Sequence, residues 1–436
     1  MTAAQARESG ATEGGLRGSV SERMLLLLVV GDILGAGIYV LIGELAGEVG
    51  GLAWAAFAGA FLIAITSATS YAELVTRYPG AAGSALYARK AFNSPTVTAM
   101  VGLAVLASTL ATSATTARAF AGDYLAAFVD LPERPVAMVV VLVLAVIAAF
   151  GIETSARANA TLTVVEAAGL FLIITLGVLA LGDGSGDVDR LTATEGVGIG
   201  GAFAGVSLAF FAFLGFEDAV HLSEEVENPQ RTFPRVLLTA VVVTGVVYLL
   251  VALTAGLLVE ADTLAGSDGP LLEVVRVGPL DIPERLFSAI ALGAVTNTSL
   301  FALVAAARLL YGMAQTGDAP RALGVVTTRF GSPARAVAVA GLIAAAFAAT
   351  GAVGDLARTA VTALLAVLLI VNVSAIRTRH EPEGWRPVPW VAWVGAGACA
   401  VLLAHQLLTA SGSDLLRLAA LVVLGAGARL LRPGED

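Results

Sequence analysis

The chain has 436 residues, of which 57% are hydrophobic and 14% charged, against roughly half and a quarter in an average soluble domain. That excess excludes a soluble enzyme, a disordered chain and a secreted disulfide scaffold, and twelve crossings of about 20 residues each leave little chain for a large extramembrane domain. The net charge of -9 accompanies 25 dispersed basic residues, a pattern without a nucleic-acid footprint.

Residues 1–22 are polar and read as a cytoplasmic tail. They do not read as a signal peptide, because the apolar run that follows is interrupted by Gly31, Asp32, Gly35 and Gly37. Stretches apolar enough to span a bilayer then fall at about 24–46, 51–76, 97–127, 136–153, 161–182, 198–223, 235–259, 286–313, 335–353, 356–376, 388–408 and 414–431. They lack the period-two alternation of outer-membrane strands, so the expected fold is an all-α membrane protein of twelve helices. The first five spans form one unit over 23–182, the next five a second over 198–376, and 377–436 holds the last two with a short C-terminal tail. With both termini inside, eighteen of the 25 Lys and Arg fall on the cytoplasmic side, which predicts a multi-pass cell-membrane protein in that orientation. The longer outside loops, near 183–197 and 260–284, are acidic.

Two spans carry mid-depth interruptions. The first reads GDILGAGIYVLIG over 31–43, with Gly35, Ala36 and Gly37 in a row. Such small residues suit close helix packing, yet glycine also weakens a helix by about 1 kcal/mol relative to alanine. The sixth span carries Gly215 among Phe211, Phe213 and Phe216. Gly35 and Gly215 occupy the first helix of each five-span unit, and interrupted segments in corresponding positions of two halves point to a midplane transporter site between inverted repeats. The half-helix after the first break, near Gly35 to Ile38, offers unpaired N–H groups and a positive dipole end, which suits a carboxylate. Carbonyls near Phe211, Ala212 and Leu214 suit an ammonium group, with Gly215 beside them as a further expected substrate-site residue. A ligand bearing both groups is an amino acid, over which Phe211 and Phe213 are expected to close, Phe211 as a gate.

The segments GAGIYVLIG in the first span, SYAELVTRYPGAAGSALYARKAF over 70–92, FFAFLGFEDAVHLSEEVENPQRTFPR over 210–235 and ARLLYGMAQTGDAP over 307–320 resemble the amino acid/polyamine/organocation permease superfamily. The resemblance covers both repeats in order. It implies a five-plus-five inverted-repeat, LeuT-like fold with helices 1 and 6 broken at the substrate, and secondary transport of amino acids or related amines by alternating access. That family often has a lysine on its fifth helix; here LTVVEAAGL places Glu166 there, so a lysine-based coupling does not carry over.

Asp32 and Glu166 lie inside apolar spans, where a charge costs about 2.5 to 3.5 kcal/mol at the helix centre. Glu166 is the expected proton carrier, with Asp32 tuning it or touching the substrate amine. Glu217 is a second-rank pathway residue, since its neighbour Asp218 suits a solvated half-helix. Thr296, Asn297, Thr298 and Ser299 offer hydroxyl and amide oxygens that leave sodium open as an alternative coupling ion. Glu73 and Arg77 are four apart at the cytoplasmic end of the second span, the spacing of an exposed helical pair. With Glu224 and Arg231 they are candidate inner-gate residues. Arg118 is expected to pair with Asp123 or to reach the interface. Cys399 is the sole cysteine, and His221, His380 and His405 are scattered, so no metal or cofactor is expected. The reading is a transporter for small neutral amino acids, with amines or cationic amino acids as the alternative. A membrane-embedded sensor or enzyme is disfavoured for want of an output domain or a catalytic constellation.

Overall fold

The computed structural model describes residues 21–80, 83–150, 155–193, 197–223, 226, 228–315, 317, 319–326, 332–417 and 419. Among them the secondary structure is helical. The α-helices are α1 Glu22–Leu34, α2 Gly37–Val49, α3 Ala53–Arg77, α4 Gly83–Phe92, α5 Pro95–Phe120, α6 Asp123–Ala126, α7 Glu133–Ala149 and α8 Ser155–Asp183. They continue as α9 Ile199–Phe211, α10 Pro229–Leu258, α11 Ala261–Ala265, α12 Pro270–Val277, α13 Glu284–Gln315, α14 Ala334–Thr350, α15 Val353–Arg377 and α16 Trp390–Thr409. Seven helical stretches are long and apolar enough to cross a membrane, the first of them running from Glu22 through Arg77 and so containing α1 to α3. The expected span at 414–431 lies almost wholly outside the described residues.

Local chemistry explains the main boundaries. Ser21 and Ser94 cap α1 and α5, their hydroxyls accepting from the N–H groups of Met24 and Val97 at 3.4 Å each. Pro95, Pro229 and Pro270 stand in the first turns of α5, α10 and α12, where the missing N–H has no intrahelical partner to lose. The helices that pack together bring distant segments face to face. α10 lies on α3, α5 on α13 and α15, α16 on α15, and α2 on α9. Small residues permit the closest approaches: a Cβ at Gly31 would lie 2.3 Å from the Thr163 hydroxyl of α8.

Two segments expected to be loops contain helices. Within 260–284, α11 and α12 cover the C-terminal part of α2. Leu264 is buried, and Gly43 of α2 sits so near the Leu264 carbonyl that a Cβ there would be 2.4 Å away. α12 buries Leu271, Leu272, Val274 and Val275 while Glu273 and Arg276 pair on its outer side at 2.6 Å. Similarly, the segment after α3 forms α4, which buries Tyr87 and Ala88 and exposes Arg89 and Lys90.

Candidate functional site

The first span is interrupted between α1 and α2, where Gly35 and Ala36 leave the helical ladder. Backbone groups freed at bilayer depth need other partners, and two neighbouring side chains supply them. Thr298 of α13 accepts from the Ala36 N–H at 2.8 Å. Tyr248 of α10 donates to the Ile33 carbonyl, and within α2 itself Tyr124 of α6 adds a hydrogen bond to the Tyr39 carbonyl at 2.7 Å. The N–H groups in the first turn of α2 have no preceding intrahelical carbonyl to bond, so the positive end of this half-helix faces the break.

The sixth span is interrupted where α9 ends at Phe211. Residues 212–217 form turns, and Asp218–Leu222 is a short 3-10 helix. Gly215 has φ of +122°, a conformation that side chains resist. Its N–H donates to Glu217 Oε2 at 3.0 Å. The Phe211 carbonyl accepts from the Leu214 N–H at 3.2 Å, whereas those of Ala212 and Leu214 accept no backbone hydrogen bond among the described residues. The two breaks touch: a Cβ at Gly37 would sit 2.4 Å from Ala212 Cα, and one at Gly215 would sit 3.0 Å from Asp32 Cγ.

A cavity of about 40 Å³ opens at this contact, room for two or three water molecules. From the first break it is lined by Asp32, Gly35, Ala36 and Gly37, and from the second by Phe211, Ala212, Leu214, Gly215, Glu217 and Asp218. Ser108, Thr109 and Thr112 of α5 and Thr298, Phe301 and Ala302 of α13 complete much of the wall. Asp32, Glu217 and Asp218 therefore meet at one cavity, close enough for their charges to interact, and no Lys or Arg lines it.

Two residues expected at the ligand stand elsewhere. Phe213 is fully buried with its ring 5.3 Å from Tyr248 and 6.4 Å from Phe61, and Ile38 is buried outside the lining. Side chains two apart on a helical path point in nearly opposite directions, so Phe211 and Phe213 do not cover one ligand together. Glu217 lines the cavity and is 9% exposed, so of its two expected placements it stands on the wall and not on a solvated half-helix. The α5 hydroxyls were missed, although the run STLATSATT over 108–116 is unusually polar for an apolar span.

Glu166 is fully buried on α8 and does not line the cavity. Its side chain neighbours Asn297 of α13, though neither carboxylate oxygen makes a hydrogen bond of ordinary geometry among the described residues. Its main-chain carbonyl accepts from the Tyr39 hydroxyl at 2.7 Å. Asn297, Thr298 and Ser299 thus separate in role: Asn297 faces Glu166, Thr298 caps the break, and Ser299 bonds Ser113 at 3.0 Å.

The inner-gate candidates also differ from expectation. Glu73 and Arg77 form a fully buried pair at 2.8 Å, not an exposed one. The segment after α15 folds over them: Arg77 donates to Thr378 Oγ1 at 2.9 Å and to the Glu383 carbonyl at 3.1 Å, and the Trp385 N–H donates to Thr76 Oγ1 at 2.9 Å. Arg231 is exposed, and Glu224 lies outside the described residues. Arg118 pairs with Glu133 at 2.9 Å; Asp123 instead accepts from the Asp268 N–H at 3.0 Å, because α7 begins beside the C-terminal end of α5.

A family model described as amino acid permease matches residues 22–427, nearly the whole chain and both interrupted spans. The chain belongs to the amino acid permease family. An uncharacterized transporter of Mycobacterium tuberculosis (strain ATCC 25618 / H37Rv) is 30% identical over 382 residues, covering 86% of this chain and 83% of that protein. The vacuolar cationic amino acid transporter 4 of Arabidopsis thaliana is 27% identical, over 84% of this chain and 64% of that protein. A methylthioribose transporter of Bacillus subtilis (strain 168) is 28% identical, over 64% of this chain and 59% of that protein. This permease is accordingly a multi-pass membrane transporter of small molecules, with the lipid bilayer as its surroundings.

Proposed function

We propose that this permease carries small neutral amino acids across the cell membrane by alternating access, coupled to protons, within a twelve-helix, five-plus-five inverted-repeat fold whose termini are cytoplasmic. The observation that carries the reading is the meeting of two opened helices at one cavity. The first turn of α2 presents N–H groups to a substrate carboxylate, and the Ala212 and Leu214 carbonyls, with Asp32, face its ammonium group. Phe211 is the gate. Glu166 is the proton carrier, because it is buried without lining the cavity and faces Asn297, the neighbour of Thr298.

Three carboxyls on the cavity wall favour a second reading, a carrier of cationic amino acids or amines, in line with the name of the Arabidopsis relative. Counterflow in proteoliposomes with alanine, leucine, arginine and putrescine separates the two, repeated under proton and sodium gradients imposed separately. Exchange of alanine with stimulation by a proton gradient is the expected result. Exchange of arginine or putrescine alone transfers the assignment to the second reading, and stimulation by sodium alone removes the proton.

A further inference from the structure

Charge is handled differently at the two ends of the bundle. At the outer end Arg118, Arg190, Arg276, Arg358 and Arg417 each pair with one or more carboxylates, and only Arg134 and Arg285 there make no ion pair among the described residues. At the inner end, around α4 and the end of α15, Arg89, Lys90, Arg377, Arg379 and Arg386 make no ion pair among the described residues, and Arg77 alone is neutralised there, by Glu73. Arg89, Lys90, Arg377 and Arg386 are exposed.

These unneutralised groups belong to one surface. Arg377 Nε donates to the Ala91 carbonyl at 3.0 Å, and its guanidinium lies 4.9 Å from the centre of the Phe92 ring, so the end of α15 is fastened to the end of α4. Lys90 Nζ lies 5.6 Å from the centre of the Tyr78 ring, beside Arg77. Arg386 donates to the Glu381 carbonyl at 2.6 Å, and Arg379 to that of Pro387, which holds the connection to α16 against the same face. Five positive side chains here face Glu381 and Glu383 as the acids of that connection. α4 buries its apolar side and turns Arg89 and Lys90 outward, and Trp390 and Trp393, both exposed, begin α16 next to the patch, as aromatic residues do at the level of lipid headgroups.

We propose that this surface is a binding site for anionic phospholipid headgroups of the cytoplasmic leaflet, formed by Arg89 and Lys90 of α4, Arg377 of α15 and Arg379 and Arg386 of the following connection. The proposal rests on the inside orientation of both termini, but not on the substrate. Guanidinium groups bond phosphate in a forked geometry, and the stacking of Arg377 and Lys90 on rings restricts them without using up their charge. A neutral headgroup pairs its phosphate with its own cation and gains less.

The test uses the full chain in nanodiscs, in a W54F background that leaves Trp385, Trp390 and Trp393 as reporters. Quenching by brominated phosphatidylglycerol is compared with that by brominated phosphatidylcholine at equal mole fraction. The anionic lipid is expected to be preferred by ~3- to 10-fold. The preference falls to near unity in R89Q/K90Q/R377Q/R386Q, and in the unaltered chain at about 0.5 M salt, where screening is short-ranged. R89K/R377K/R386K retains most of it, which separates lost charge from lost folding, and unchanged counterflow in the glutamine variant confirms that the variant is folded. Equal quenching by the two lipids overturns the proposal. So does an equal loss of preference in R134Q/R285Q, which removes basic residues from the outer end. Displacement of the lipid by millimolar glycerol phosphate reassigns the surface to a soluble anion.

Discussion

A single methyl group at Gly37 tests whether the two breaks must touch. An alanine there places its Cβ 2.4 Å from Ala212 Cα and 2.9 Å from Ala212 Cβ, whereas carbon atoms rest at about 3.5 to 4.0 Å. Both neighbours are fixed to backbone, so the spans must separate by roughly 1 Å at the cavity. Overpacking of this kind costs about 1 to 3 kcal/mol, equivalent to ~5- to 150-fold in the population of the closed arrangement at 1.4 kcal/mol per tenfold. G37A is expected to lose substrate affinity and counterflow rate within that range. A212G gives only partial recovery, because the nearer atom is the retained Cα. G397A serves as the control: a Cβ on that α16 glycine meets nothing within 4 Å, and alanine favours the helix by about 1 kcal/mol. Initial counterflow rates and substrate-dependent thermal shifts are the assays. Ordinary rates and affinity in G37A would refute the claim that transport needs the two breaks in contact.

E166Q is expected to abolish uptake driven by an imposed pH gradient while sparing exchange; pH-driven uptake at the normal rate removes Glu166 as the proton carrier. T298A leaves the Ala36 N–H without its acceptor, at about 1 to 3 kcal/mol, and should weaken counterflow while T298S preserves it; equal rates in both variants show that the cap is dispensable. R77M leaves Glu73 buried without its partner, a loss of about 3 to 5 kcal/mol read as a lower thermal midpoint in detergent. E73L/R77M should recover most of that loss, and an R77M protein as stable as the unaltered chain contradicts the buried-pair account.

What was legible in the chain was local. Gly35 and Gly37 around Ala36, and Gly215, announce breaks because glycine weakens a helix by about 1 kcal/mol and the two interruptions fall in corresponding spans, and the structure opens both spans there. The walls were not legible. Thr298 meets Ala36 across 262 positions, and nothing in the pattern of α13 says which of its four consecutive polar residues turns toward the break. The Glu73–Arg77 pair has the spacing of an exposed helix end, and only the connection after α15, about 300 positions away, buries it. The helices α11 and α12 were hidden for a different reason: α11 has five residues, too few to show a period, α12 shows its apolar and charged sides over only two turns, and both are held by the apolar C-terminal part of α2.

Glu166 stands off the cavity, so a proton there must act through its contacts, and two routes reach the first break. One runs through the main chain of α8: the Glu166 carbonyl holds the Tyr39 hydroxyl, and Gly169 leaves room for that ring, a Cβ there lying 2.5 Å from the hydroxyl oxygen. The other runs through the side chain to Asn297, whose neighbour Thr298 caps Ala36. Adding a proton changes the charge of the side chain and leaves the main-chain carbonyl as it was, so only the second route senses it directly. N297A should therefore resemble E166Q, losing pH-driven uptake relative to counterflow. Y39F should lower both activities together, by about fivefold for one hydrogen bond of about 1 kcal/mol. The ratio of pH-driven uptake to counterflow distinguishes them, and a fall of that ratio in Y39F but not in N297A would move the coupling path to α2.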